Sequence, residues 1–447
     1  MSGRRLEGLL TRGTQILPYE RRAVLLAFGC NFLLFASYYI LKPVRDTVAM
    51  SYNDHLQLLF TGTFIGTLIA SPIYAWLAAR VRLNRLLPGV FWFWLLNVLL
   101  FQVLFRLAPD NRWIGGGYYV WFSVVNLFMI SVFWTLMSDI FSAAQATRLF
   151  ALIAAGGSVG AIAGPLVTRF AVGTTGLDGL LLIAAGGFLA VIVLVHLLMH
   201  EKGRLQRAGV GGQPTTLDHG LAGSSFDGFR ELLRSPFSRW QAAFILLMTW
   251  VNTVAYFLQT DVISHAFSAD TSRAVAVADI SLMVNVLAAI ILLFGLGRYV
   301  HRFGVTAGLV LNPIIMVVAF IALALSPTLL MIQALQVIRQ VSQYAIARPS
   351  REICFTVVPQ SDRYKTKNVI DTVIYRFGDL SAAWMETGLR AMGLRVIGSA
   401  AAGFSISIIW GVGALMLGRR YEILRARQET ANRAQAAATA GTGVVPG

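Results

Sequence analysis

Runs of about 20 apolar residues recur along almost the whole chain, and that repetition decides its class of fold. Wound as a helix, a run of this length crosses a hydrocarbon core of roughly 30 Å. Lipid offers the backbone no hydrogen bonds, so a spanning segment must satisfy its own amides, as a helix does. Twelve such spans are predicted, at about 22–41, 55–79, 86–107, 114–137, 149–170, 178–199, 239–261, 275–297, 305–325, 328–347, 369–389 and 395–417. Hydrophobic residues make up 56% of the 447 and charged residues only 13%, too few charges to cover a soluble globule. The chain therefore reads as an all-α integral membrane protein with twelve transmembrane helices.

The formal net charge is +16. On a soluble protein that excess would suggest nucleic acid as a partner. Here the positive residues flank spans, so no nucleic-acid partner is expected and the bilayer accounts for them. With the N-terminus placed in the cytoplasm, 27 of the 37 Lys and Arg residues fall on that side and eight on the other. The bias predicts two cytoplasmic termini and an even number of spans. Cys30 and Cys354 are the only cysteines, and the histidines near span ends lack ligand spacing, so neither a disulfide, a metal nor a cofactor is expected. The basic start leads into a full-length span without a small-residue cleavage pattern, so no cleaved signal is expected.

The spans group as six and six. The expected division is an N-terminal segment 1–21, a bundle 22–199, a cytoplasmic linker 200–238, a second bundle 239–417 and a disordered tail 418–447. The linker is rich in Gly, Ser and polar residues, and Arg230 to Arg239 is expected to add a short amphipathic helix. The halves echo each other. Lys42-Pro43-Val44-Arg45-Asp46 closes span one and Arg348-Pro349-Ser350-Arg351-Glu352 closes span ten, each with a proline, then arginine, then a carboxylate. Gly156, Gly160 and Gly164 form a small-residue stripe on span five, which predicts close helix packing and not a phosphate loop.

Several polar residues sit where lipid would penalise them. A charge at the bilayer centre costs at least about 2.5–3.5 kcal/mol, so it needs a partner or an aqueous cavity. Span eleven carries Asp371, Tyr375, Asp379 and Glu386 on one face, with Arg376 one turn from Asp379 and equally readable as its structural ion-pair partner. Span ten carries Gln333, Gln336, Gln340 and Gln343 at helical spacing, with Arg339 beside them and no acidic residue in that span. Span one carries Asn31, Tyr38, Lys42 and Arg45 on one face, and Lys42 is equally readable as an interfacial anchor. These stripes predict one wet cavity that binds an anion. Arginine suits that task because its planar fork grips carboxylate or phosphate with paired hydrogen bonds.

Three segments carry a family resemblance: Tyr38 through Asp46, Phe133-Trp134-Thr135-Leu136-Met137-Ser138-Asp139, and Pro349-Ser350-Arg351-Glu352 running on through Lys365 to Asp371. They resemble the ATP/ADP translocases, the nucleotide transporters of plastids and intracellular bacteria, and their relatives in free-living bacteria. The resemblance implies a major-facilitator-like fold of two six-helix halves, nucleotide exchange, and a bacterial inner membrane. It implies functional roles for the cations after spans one and ten, here Arg45 and Arg351, and for a span-four carboxylate, here Asp139. It also implies a span-seven glutamate, where this chain has Ala255 in the stretch Asn252 to Gln259. That departure leaves the solute open among nucleotides, phosphorylated metabolites and other organic anions.

The reading is a secondary transporter, not an enzyme, since no nucleophile–base or metal-ligand spacing is visible. Its partner is a small anionic solute, with the oligomeric state left open. Arg45, Arg339 and Arg351 are expected to hold the anion. Tyr38, Gln336, Gln340 and Asn252 are expected to contact its polar body. Asp139 is expected at the solute site, and Lys42, Asp46, Glu352, Asp371, Arg376 and Asp379 to serve coupling or ion pairing. Two alternatives remain: a proton-coupled exporter of a drug or metabolite, and a non-transporting membrane subunit that binds a partner.

Overall fold

The computed structural model describes residues 16–81, 83–109, 111–207, 225–358, 366–367 and 369–441. The first fifteen residues, the linker core 208–224, and Lys365 and Asn368 of the third resembling segment lie outside them. Among the described residues all regular structure is helical. The helices are α1 (Arg21–Met50), α2 (Leu56–Arg80), α3 (Leu83–Leu107), α4 (Arg112–Ile140), α5 (Ala143–Arg207), α6 (Ser225–Arg234), α7 (Pro236–Ala266), α8 (Asp270–Phe294), α9 (Leu296–Leu325), α10 (Leu329–Ser342), α11 (Arg348–Cys354), α12 (Tyr375–Ala391) and α13 (Val396–Gly441). Nine described helices are long and apolar enough to cross a membrane. The twelve spans are completed by the bend of α5, which crosses twice, and by the more polar stretches 329–347 and 370–391.

Glycine and wide turns explain the irregularities. A straight 65-residue helix would run about 97 Å, several membranes thick. Gly176 breaks α5 with φ 67°, a left-handed conformation that costs glycine nothing and other residues much. Gly304, with φ 78°, bends α9 in the same way. Single π turns at Gln343–Ala347 and Ile370–Ile374 interrupt spans ten and eleven. Ser235 separates α6 from α7, so Arg239 starts a membrane helix and the surface helix lies earlier than the sequence suggests. The last helix continues to Gly441, far past the membrane span. Alanine-rich sequence after residue 430 favours helix, which the earlier expectation of a disordered tail underweighted.

The chain clusters into two compact units. One comprises Met1–Ala222 with Thr260–Val286, the other Gly223–Gln259 with Leu287–Gly447. In the first unit α1 is the central helix, gripped by both limbs of α5. The small-residue stripe makes this possible. A Cβ on Gly156, Gly160 or Gly164 would collide with the carbonyls of Phe28, Phe32 or Ala36, and one on Gly187 with Ser37. The backbones approach that closely only because glycine stands there. The segment 260–286 joins this unit through Asn53 with Asp261 and Ser264, Lys42 with Ser281, and Asn285 with the Ala161 carbonyl. In the second unit, α9 packs along α13 and Gly378 brings α12 against Thr249 of α7.

Candidate solute-binding site

Span ten supplies the most unusual side chain of the second unit. Arg339 lies one turn before the end of α10 and is 8% exposed. Its guanidinium donates from Nη1 to Asn252 Oδ1 at 2.6 Å and to Gln343 Oε1 at 3.2 Å. Nη2 and Nε both reach Gln336 Oε1, at 2.6 and 3.1 Å. Gln336 is fixed in turn: its amide donates to the Ala255 carbonyl at 2.7 Å, and Gln340 leans on its oxygen at 3.4 Å. The helical spacing of the glutamines produces this basket, since 336, 339, 340 and 343 share one face. Every acceptor around Arg339 is a neutral amide, and no described carboxylate pairs with it.

The other cations differ. Arg351 is buried, with Nη1 on Asp371 at 2.9 Å and Nη2 on Glu352 at 3.0 Å. Lys367 bonds the second oxygen of Glu352 at 2.5 Å. Burial opposes the charged form of Glu352, but the Lys367 hydrogen bond and the charges of Lys367 and Arg351 outweigh it and hold the carboxyl below its ordinary value. Arg376 pairs with Asp379 at 3.5 Å, and Asp379 also accepts from Thr253 at 3.2 Å. The cluster after span ten thus couples two cations to two carboxylates, and the sequence pairing of Arg376 with Asp379 is present.

In the first unit, Arg45 bonds its neighbour Asp46, which is buried, with Nε to Oδ1 at 2.9 Å. Its guanidinium sits over the rings of Tyr119 and Phe122, at 5.2 and 5.7 Å from the centroids. Tyr38 stacks on Phe122 at 5.1 Å, so this aromatic set supports the arginine. Lys42 donates to Ser281 at 2.9 Å, a contact inside the protein where the sequence also allowed an interfacial anchor. Asp139 is placed with Lys202 at 2.6 Å, with side-chain exposures of 3% and 11%. Nearby, fully buried Glu20 takes Gln145 at 3.0 Å and Arg148 at 2.9 Å, and Glu201 takes Arg22 at 3.1 Å. Sequence reasoning missed Lys202 and Glu20 because both looked like flanking surface charge.

The sequence profile of the Major Facilitator Superfamily matches residues 25–347. The chain belongs to the major facilitator superfamily. Among curated proteins, this facilitator is similar to the ADP,ATP carrier protein 1 of Chlamydia pneumoniae, 22% identical over 423 residues, covering 83% of this chain and 72% of that protein. Its fold is similar to the solved nucleoside transporter NupG, with a TM-score of 0.62 and 11% identity over 90% of this chain and 99% of that one. It is also similar to a POT family transporter in complex with 5-aminolevulinic acid, with a TM-score of 0.61 and 13% identity over 90% of this chain and 96% of that one. This facilitator is a multi-pass membrane transporter and not an enzyme.

Proposed function

We propose that this facilitator is a secondary transporter of an anionic, nucleotide-like or phosphorylated solute, working by alternating access across a bacterial inner membrane with both termini cytoplasmic. Arg339 is the anion-binding cation. The observation that carries the reading is its guanidinium, buried in a membrane helix among neutral amides of Asn252, Gln336 and Gln343 without a described carboxylate partner. Burying a charge without a counter-ion is expensive, and amide dipoles recover only part of the cost. A solute anion would recover the rest, which makes an anion-loaded site lower in energy than an empty one. The Asn252, Gln336 and Gln340 amides then contact the solute's polar body.

Arg45 and Arg351 take a different role from the one first expected. Each already has a carboxylate at hydrogen-bond distance, so each acts through its pair, exchanging partners as the transporter changes state. The neutral residue at Ala255 fits the same reading. Its carbonyl anchors Gln336, and no carboxylate side chain stands there to cancel Arg339. Similarity to an ADP,ATP carrier supports a nucleotide-like solute. The test is uptake into proteoliposomes of labelled nucleotides, sugar phosphates and organic acids, with and without internal unlabelled solute. Anion uptake that is lost in Arg339→Gln and partly kept in Arg339→Lys supports the assignment. Uptake unaffected by Arg339→Gln refutes it. Uptake of neutral solutes only, driven by a pH gradient, would favour the exporter alternative.

A further inference from the structure

The first unit holds a cavity that the solute site does not use. It has a volume of about 1490 Å³ and runs between α2 and α3 with α4 as its floor. Glycine shapes it: Gly62 and Gly66 let α2 settle onto Val120 and Val124 of α4, leaving α3 standing away from α2. Ile69, Ile73 and Phe93 line it and are each more than half exposed, so the crevice opens along the apolar outside of the unit. On α2 the lining extends from Leu58 to Leu77, about 30 Å along the helix, which matches the hydrocarbon core. One end differs in chemistry. The loop residues Tyr52 to His55 and the exposed Arg112 and Trp113 ring it, with Asp54 the one carboxylate among them. Arg112 forms no described ion pair, and the Tyr52 hydroxyl is held by the Gly116 amide at 3.0 Å.

We infer that this crevice is a binding site for one anionic phospholipid, its acyl chain lying between α2 and α3 and its phosphate at Arg112. An apolar slot of this size open to hydrocarbon is filled by hydrocarbon, because water there would lose hydrogen bonds and a void would lose contacts. The guanidinium at the mouth selects a net-negative headgroup over a zwitterionic one, and Trp113 sits at the level where indole rings favour the membrane interface. The site shares no residue with the Arg339 basket, so it stands or fails separately from the proposed function.

Native mass spectrometry of the detergent-purified protein with phosphatidylglycerol or phosphatidylethanolamine tests it. Gly117 lines the crevice near Arg112 and Gly89 lines its far end; a side chain at Gly89 meets open space and one at Gly117 only an ordinary contact. Wild type should retain phosphatidylglycerol in preference. Gly117→Phe should lower retention of one phosphatidylglycerol about tenfold, Gly89→Phe should leave it nearly unchanged, and Arg112→Gln should abolish the headgroup preference. Melting curves of each variant confirm that it folds, and Gly117→Leu replaces the phenylalanine variant if that one does not. Equal retention in wild type and Gly117→Phe overturns the site. Loss in Gly89→Phe alone places the lipid in the opposite leaflet and overturns the headgroup assignment. Loss of solute uptake in Gly117→Phe with lipid retention intact makes the crevice a solute path and overturns the inference.

Discussion

Asp139 separates a structural ion pair from a solute ligand, and the two roles give different numbers. Its carboxylate meets Lys202 at 2.6 Å with almost no solvent contact on either side chain. Removing one member of a buried pair leaves the other charged and unpaired, at a cost of about 3–5 kcal/mol, whereas an exposed pair contributes about 0–1 kcal/mol. Asp139→Asn and Lys202→Met should therefore each lower the folded-to-unfolded ratio by about two to four powers of ten. The double variant removes both charges and should recover to within about 1 kcal/mol of wild type, because a buried pair replaced by neutral groups is close to neutral overall. The assay is thermal melting in detergent followed by tryptophan fluorescence, alongside uptake. The reasoning is refuted if Asp139→Asn melts like wild type but loses transport. That result would return Asp139 to the solute, as the family resemblance implies.

Other outcomes follow from the same geometry. Gly160→Leu drives a side chain into the Phe32 carbonyl and should prevent α5 from closing on α1, measured as loss of monodisperse folded protein. Gly173→Ala, where a Cβ meets nothing within 4 Å, should be neutral or stabilise by about 0.5–1 kcal/mol through helix propensity. Glu352 has its carboxyl held below its ordinary value of 4.5, so its stabilising contribution is complete above that pH and is lost as pH falls through the lowered value. The melting difference between wild type and Glu352→Gln should accordingly be constant from neutral pH down to about 5, then shrink on further acidification. A difference that grows on acidification would contradict the pairing with Lys367 and Arg351.

What the sequence made legible follows from how local each interaction is. Span count depends on run length alone. The glycine stripe and the glutamine stripe depend on helical spacing, so both the α1–α5 contact and the Arg339 basket could be anticipated. Asp139 with Lys202 could not, because the pair spans 63 residues and depends on the reversal at Gly176. Asp46 was expected in ion pairing, but its pairing with the adjacent Arg45 is not read from spacing, because consecutive residues on a helix normally face apart and only the long arginine folds back. Arg351 follows one π turn and Asp371 lies inside the other, and such turns shift the face that simple counting assigns. Lys202 thus neutralises Asp139, Asp46 and Asp371 neutralise the arginines expected at the anion, and the basket around Arg339 keeps its positive charge.

That surviving charge is tested most directly by Asn252→Asp. Asn252 Oδ1 already accepts from Arg339 at 2.6 Å, so the substitution supplies a counter-ion with almost no change in shape. Thermal-shift titration with nucleotides and sugar phosphates should find an anion that stabilises wild type. Asn252→Asp should melt higher without ligand and bind that anion about 10- to 100-fold more weakly, the worth of one charged hydrogen bond at about 1.5–3 kcal/mol. An Asn252→Asp protein that binds the anion as tightly as wild type would contradict the account.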